Sequence, residues 1–284
     1  MTQILTWNIQ WGLGIDGRVD LARIAAVIGA MGEPDVLCLQ EIGRAMPGAG
    51  GEAVDQARDL AALFPRMEWA YGAAVERAGA PGHPRRRFGN MVLSRLPVIQ
   101  VFRHPLPQPP DGAVKHMPRQ ATEIVVEAPF GPLRVITTHL EYHSETQRLA
   151  QVARLRALHA EVAANVRTPG VQPPDGPYAA PPRPTACVIC GDFNMVPEDV
   201  VYRAMAAPFA DGTPPLIDAW RHAHRDLPHA PTCGIHDKDQ WPQGPHCRDF
   251  LFVTPGIAAR ITAVDVDRKT DASDHQPMLL SLAD

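Results

Sequence analysis

The chain has 284 residues, 45% of them hydrophobic, enough to bury a substantial core within one α/β domain. Its 27 basic and 31 acidic residues leave a net charge of −4, so it lacks the basic surplus of a protein that lives by neutralising DNA phosphates. No apolar run approaches the roughly 18 residues that a membrane helix needs. No basic segment precedes the first apolar run, which argues against a secretory signal. Five cysteines, several in apolar runs, fit reduced cytosolic thiols, so a cytoplasmic location is expected.

In chain order, Ile4 to Trp7 reads as a buried strand. Val19 to Met31 carries Leu21, Ile24, Val27 and Ile28 at helical spacing. Pro34 ends that segment, and Val36–Leu39 is a continuous apolar strand of the kind covered on both faces. Ala53 to Leu63 reads as a second helix. Met91–Ser94, Thr122–Val126 and Leu133–Thr137 read as strands. Ser144 to Asn165 is the longest predicted helix, with Ser144 and Gln147 in capping-box spacing. Residues 168–184 contain seven prolines and predict a stiff surface loop. Cys187–Cys190 and Asp249–Phe252 read as strands. Strands and helices alternate in each half, with no short-period repeat.

Chemistry-bearing strings recur where the apolar runs stop: Trp7-Asn8, Gln40-Glu41, Thr138-His139, Gly191-Asp192-Phe193-Asn194 and Ser273-Asp274-His275. Together they predict one site assembled from strand ends. Hydrolysing a phosphoester requires neutralised phosphoryl oxygens, an aligned water and a stabilised leaving oxygen. Glu41 is the leading ligand for a hard divalent cation, which takes oxygen donors. Asn8 can both donate and accept, and so can hold a metal-bound water or a phosphate oxygen. Asp192 and Asn194 are two apart, so an extended backbone would turn both to one side, Asp192 to align or deprotonate water and Asn194 to donate to phosphate. His139 and His275 are the acid–base candidates, because imidazole titrates near neutrality.

The set resembles the endonuclease/exonuclease/phosphatase superfamily, which includes pancreatic-type deoxyribonucleases, abasic-site endonucleases, inositol polyphosphate 5-phosphatases and neutral sphingomyelinases. The resemblance runs from Asn8 to Pro277 and rests chiefly on Gly-Asp-Phe-Asn and Ser-Asp-His in this order and separation. Gly89-Asn90, Arg119 ahead of an apolar strand, and Asp249-Phe250-Leu251-Phe252 extend it. Where the family often has Arg-Ile-Asp-Tyr, this chain has Cys247-Arg248-Asp249-Phe250; the Asp is kept, and no role is carried to the displaced Arg. The resemblance implies one catalytic domain over 1–284, a four-layer α/β sandwich of two packed mixed β-sheets with helices on both outer faces. It also implies Mg²⁺, with Mn²⁺ or Ca²⁺ as alternatives, held by Glu41 with Asp274 or Asn8. His275 would be oriented by Asp249, and Asn90 and Arg119 would join Asn8 and Asn194 in binding substrate.

The expected activity is therefore that of a metal-dependent phosphoesterase, a phosphodiesterase acting on a soluble ester. Nucleic acid is the less favoured partner, because aromatic residues make up only 6% of the chain and the charge is negative. The alternatives are a DNA endonuclease or exonuclease of the same family, and a binding module that has lost its chemistry. No membrane partner is expected. The Pro-rich 168–184 segment and the loop Gly79–Arg87, with its run Arg85–Arg87, are expected to flank the site and narrow it against duplex DNA. Cys187-x-x-Cys190 falls inside a strand, which disfavours a redox role, and Cys233, His236, His246 and Cys247 match no zinc spacing well. His143 either reaches the site or only begins the long helix, and His222 and His224 read as surface residues.

Overall fold

A computed structural model describes residues 1–47, 53–171, 173 and 175–284. The strands begin with β1 (Thr2–Asn8), β2 (Val36–Pro47), β3 (Ala53–Asp55), β4 (Glu68–Arg77), β5 (Arg86–Ser94) and β6 (Val98–Pro105). They continue with β7 (Gln120–Ala128), β8 (Gly131–His139), β9 (Cys187–Asp192), β10 (Ile217–Asp218), β11 (Asp249–Val253), β12 (Ile261–Val266) and β13 (Met278–Leu282). One sheet has the order β12-β13-β1-β2-β5-β4, with β3 added against β2, and the other has the order β10-β11-β9-β8-β7-β6. Each sheet is mixed in the same way. A central parallel pair, β1/β2 in one and β8/β9 in the other, is flanked by antiparallel neighbours.

Side-chain alternation builds the layers. Ile4, Val36, Cys38 and Val92 of the first sheet meet Val135, Val188, Cys190 and Leu251 of the second in a core between the sheets. Their neighbours in sequence point outward. Leu5, Trp7, Leu37 and Leu39 pack beneath α1 (Leu21–Ala30) and α2 (Gln56–Leu63). Ile136, Cys187, Ile189 and Phe250 pack beneath α3 (Glu145–Arg167) and α4 (Val200–Ala206). The result is the expected four-layer sandwich, helices outside and two sheets within. Two shorter helices, α5 (Ala219–His224) and α6 (Pro255–Ala258), close one end of the inter-sheet core with Ala219 and Ile257. Among the described residues no helix is long and apolar enough to cross a membrane.

Several boundaries differ from the sequence reading. Ala53–Leu63 is not all helix: its first three residues are β3, and α2 begins at Gln56 with Asp55 capping it by accepting from Arg58 N. β2 continues to Pro47 rather than stopping at Leu39, past a register shift at Leu39/Ile42. For α3, Ser144 Oγ accepts from Gln147 N at 3.1 Å, but the Gln147 side chain donates to Pro109 O at 2.8 Å, so only half of the capping box forms.

The segment 168–184, of which residues 172 and 174 lie outside the described residues, does not flank the catalytic edge as expected. It feeds the start of β9, whereas Asp192 is at the far end of that strand. Gln100 Nε2 donates to Pro181 O and Pro182 O, and Arg183 makes two hydrogen bonds to Glu123 and covers the Phe102 ring. Those partners lie on the outer strands of the second sheet, β6 and β7. A loop entering a strand lies at the edge opposite the residue at that strand's exit.

Candidate active site

The site occupies the edge where both parallel pairs end. Asn8 stands beside Gln40 in register, and His139 beside Asp192. Across the antiparallel partner, Asp249 stands opposite Asp192. Thus the two sheets present the same structural position toward a shared cleft of about 340 Å³. The backbone departs from regular strand geometry there. Glu41 sits in the β2 bulge at φ +65°, and Asn194 at φ +49°. Non-glycine residues adopt such left-handed conformations only where their surroundings hold them, and a bulge re-aims a side chain. Gly191, at φ +135°, has Thr138 O within 1.9 Å of where a Cβ would stand, so the strand can run this close to β8 only without a side chain.

The chain turns after Asp192, so Asn194 is not on extended backbone as the two-residue spacing had implied. Its left-handed conformation lets its own N–H donate to Asp192 Oδ1 at 2.9 Å, while its Nδ2 donates to Leu140 O at 3.0 Å. Both residues nevertheless line the cleft. The second Asp192 oxygen, Oδ2, is a point of convergence. Asn8 Nδ2 donates to it at 3.0 Å, His139 Nε2 lies 3.4 Å away and His275 Nε2 3.6 Å away. On its other face His275 holds Asp249 Oδ2 2.8 Å from Nδ1. Ser273 Oγ fixes the last loop by donating to Asn8 O at 2.8 Å.

The two histidines are electrostatically opposite. Burial, helped by the Arg119 charge, pushes the His139 imidazole down to about 3. Burial alone would also lower His275, but Asp249, Asp192 and Asp274 outweigh it and hold the ring well above its ordinary value. The two shifts run in opposite directions, His139 toward the neutral ring and His275 toward the charged one, a split that suits paired acid–base roles. Asp192 is held below the usual carboxylate range, burial being outweighed by the histidines and the Asn194 N–H.

Glu41 is pushed up to about 7, first by burial and then by the negative charge of Asp274. Asp274 is raised as well, by burial foremost. Glu41's ion-pair neighbour within 4.0 Å is His139, which burial keeps neutral, and Asn8 Nδ2 donates to it at 3.2 Å. Two destabilised carboxylates facing one cleft fit a hard divalent cation, which would supply the missing charge. Asp192, Asp249 and His275 also bring ligand-type atoms within 4.8 Å of one another. That group fits a metal less well, because Asp249 and His275 are already hydrogen-bonded to each other and Asp249 lies behind the cleft wall.

Arg119 reaches the cleft with its Nε donating to Glu141 Oε2 at 3.2 Å and its buried Nη1 without a protein partner. Asn90 departs from its expected substrate contact. It is 3% exposed, lies outside the cleft lining and donates to Gln120 O at 3.4 Å, bridging the two sheets. Gln40 bridges them too, its Nε2 donating to Thr137 Oγ1 at 2.8 Å. The hairpin carrying Gly79–Arg87 stands at the same edge but does not line the cleft, and Arg85 and Arg87 are paired with Glu76.

The walls come from residues to which the sequence reading assigned no role: Gln10, Trp11, Lys115, Tyr142, Gln240 and Trp241. His143 does reach the cleft. Trp241 Nε1 donates to Asp274 Oδ2 at 3.4 Å, and the displaced Arg248 lies over the Trp241 ring at 4.8 Å. These residues sit in loops without apolar periodicity, where pattern reading has no purchase. The Cys233–His246 contact of 3.2 Å recruits neither His236, which bonds Arg268 O, nor Cys247, which bonds Asp249 O. Cys187 and Cys190 point into different cores, as strand alternation requires. His222 is exposed at the end of α5, and His224 nearby bonds Val264 O.

The chain matches the Endonuclease/Exonuclease/phosphatase family over residues 5–275. No curated protein matches it. Among solved structures it is similar to an endonuclease/exonuclease/phosphatase from Beutenbergia cavernae, with 27% identity, a TM-score of 0.73, and coverage of 98% of this chain and 70% of that one. It shares its fold with the mannosyl-6-phosphatase of Bacteroides thetaiotaomicron, at 14% identity and a TM-score of 0.65, with 100% of each chain covered. It shares it also with the human Nocturnin catalytic domain, solved with bound sulfate, at 18% identity and a TM-score of 0.62, covering 99% of this chain and 93% of that one.

Proposed function

Because the chain belongs to the endonuclease/exonuclease/phosphatase family, we propose that it is a divalent-metal-dependent phosphoric ester hydrolase acting on a soluble phosphodiester. The observation that carries this reading is the crowding of Asn8, His139 and His275 nitrogens within 3.6 Å of one Asp192 oxygen, at the floor of an open cleft. Such a carboxylate is positioned to align an attacking water while its neighbours hold the phosphoryl group.

Glu41 and Asp274 would hold the cation. When bound, Mg²⁺, or Mn²⁺ or Ca²⁺ in its place, would neutralise charge on the phosphoryl oxygens. Asp192 accepts a proton from water, its Oδ1 fixed by the Asn194 N–H. His275 carries the proton at Nε2 for the leaving oxygen, with Asp249 at Nδ1 fixing the ring. His139, neutral, offers a hydrogen bond from the other side of Asp192. Arg119 Nη1 is free for a phosphoryl oxygen. Five free, buried thiols support the cytoplasmic setting expected from the sequence.

The test is turnover of a panel of mono- and diesters with Mg²⁺, Mn²⁺ and Ca²⁺ compared. Hydrolysis should vanish with EDTA and return with one of the cations. Turnover that survives both EDTA and Glu41→Gln would overturn the reading.

A further inference from the structure

Gln10 and Gln240 border more than the catalytic cleft. On their far side lies a second cavity of about 510 Å³, between the turn that follows β1 and the loop ahead of β11. The two spaces therefore form one trough with a lip of two amides. Resting on the phosphodiesterase reading above, we propose that this second cavity is the subsite for the part of the substrate beyond the scissile phosphate, and that it takes a neutral, hydroxyl-rich group such as a glycerol or sugar.

The lining decides the chemistry. The catalytic compartment carries the cationic groups Lys115 and Arg119 on one wall. The second has Lys238 against two carboxylates, Asp237 and Asp239, with His236 already bonded to Arg268 O. A further phosphate placed there would meet net negative charge in a partly enclosed space. Hydroxyls, in contrast, donate well to carboxylates and to the carbonyl oxygens of Gln10 and Gln240. Asp237 Oδ1 is committed to the Asp239 and Gln240 N–H groups and shapes the loop. Asp239's carboxylate is unengaged among the described residues, which leaves it for a ligand. On the opposite wall Leu13 and the 37%-exposed Ile15 give an apolar face, matched to the C–H face of a polyol or pyranose. The chain ahead of Ile15 is held by its N–H bond to Asp271 O at 2.9 Å, so this wall is tied to the loop that carries Asp274. Nucleic acid is disfavoured by the same geometry, because the next phosphate along a strand would fall toward the two acids.

The experiment uses three p-nitrophenyl phosphodiesters, whose second alcohol is methanol, glycerol or glycerol 1-phosphate, with the cation that supports activity. The glycerol ester should exceed the methyl ester about tenfold in kcat/KM, mainly through KM, as one or two added hydrogen bonds to a charged group would give. The ester bearing the extra phosphate should fall below the glycerol ester. Asp239→Asn and Ile15→Ala should each shrink the glycerol-to-methyl ratio toward one. Equal turnover of the methyl and glycerol esters, or a ratio unmoved by both variants, would overturn the subsite while leaving the phosphodiesterase intact. A preference for the phosphate-bearing ester would overturn the neutral group. Failure to hydrolyse any of the three with any cation would overturn the underlying activity and the subsite with it.

Discussion

At the scale of single residues, the site works through opposed environments for like groups. Glu41 is 17% exposed and Asp192 is buried, yet the first is raised and the second lowered: desolvation of Glu41 is reinforced by Asp274, whereas that of Asp192 is outweighed by the imidazoles. Glu41→Gln keeps the shape and removes the charge. It should reduce kcat by at least ~100-fold if the cation supplies several kcal/mol of stabilisation, and titration with Mg²⁺ should show weakened activation. Asp249→Asn tests the other half. It leaves His275 without the carboxylate that favours its charged form, so kcat should drop by roughly 10²–10⁴-fold, the range of general acid–base catalysis. The rate profile should lose its dependence on that imidazolium, and an unchanged profile would remove His275 as the proton carrier. Gly191→Ala belongs here too. With Thr138 O at 1.9 Å from the added Cβ, it should destabilise by about 3 kcal/mol, read as a lower urea midpoint.

At the scale of elements, what could be read from sequence was what buried periodicity encodes. β1, the core of β2, the end of β5, β7, β8, β9 and β11 announce themselves by apolar runs, and α1 and α3 by helical spacing. Of the strands not read from sequence, β4, β6 and β12 are half-exposed, β10 has only two residues, and β13 alone is a buried apolar run. The residues at strand exits were legible because their neighbours are apolar, whereas Trp11, Lys115 and Trp241 are placed by loops that only the folded chain defines. Asn90 and Gln40 show the converse: polar residues beside the site whose amides are used to join the sheets. One unforeseen element is the charge cluster under residues 181–183. Burial alone would lift the Glu123 carboxyl, but His104, Arg183 and Arg134 hold it well below the usual range. His159 nearby is pushed down to about 4 by burial and then Arg134. For Glu123, the lowered folded value means a contribution present above the unfolded pKa and lost as pH falls through the folded one. For His159, the native state favours the neutral ring, so its contribution is full above about 6.5 and is lost as pH falls toward 4. His159 should therefore add a loss of urea stability from about pH 6.5 downward, opposed in the same window by the raised Glu41 carboxyl. His159→Gln, which does not titrate, should flatten the upper part of that slope. Arg183→Ala should cost about 2 kcal/mol with kcat unchanged, since this cluster lies on the outer face of the second sheet.

At the scale of the whole molecule, charge and shape bear on substrate size. A net charge of −4 gives no long-range pull on a polyanion, and the positive groups of the cleft act only at short range. At about 0.15 M salt, near the physiological ionic strength at which exposed charges are screened, plasmid DNA should compete poorly with a small diester. Efficient plasmid nicking without small-ester turnover would restore the nuclease reading. Among the described residues, neither hairpin 79–87 nor segment 168–184 lines the trough that runs past Gln10 and Gln240.

The position of β1 between β2 and β13 carries a consequence for how the molecule comes into being. Thr2 pairs with Leu282, and Ser273 holds the backbone at Asn8, so the site's first residue is supported by a segment that is made much later. During synthesis β1 and β2 can form early, but β1 keeps an open edge until residues 278–282 arrive. Non-local closure of this kind is slow. A nascent chain arrested before Met278 should therefore be inactive, and prone to pair its open strand with another copy. Activity should appear in one step once β13 is free to pair, rather than growing with chain length.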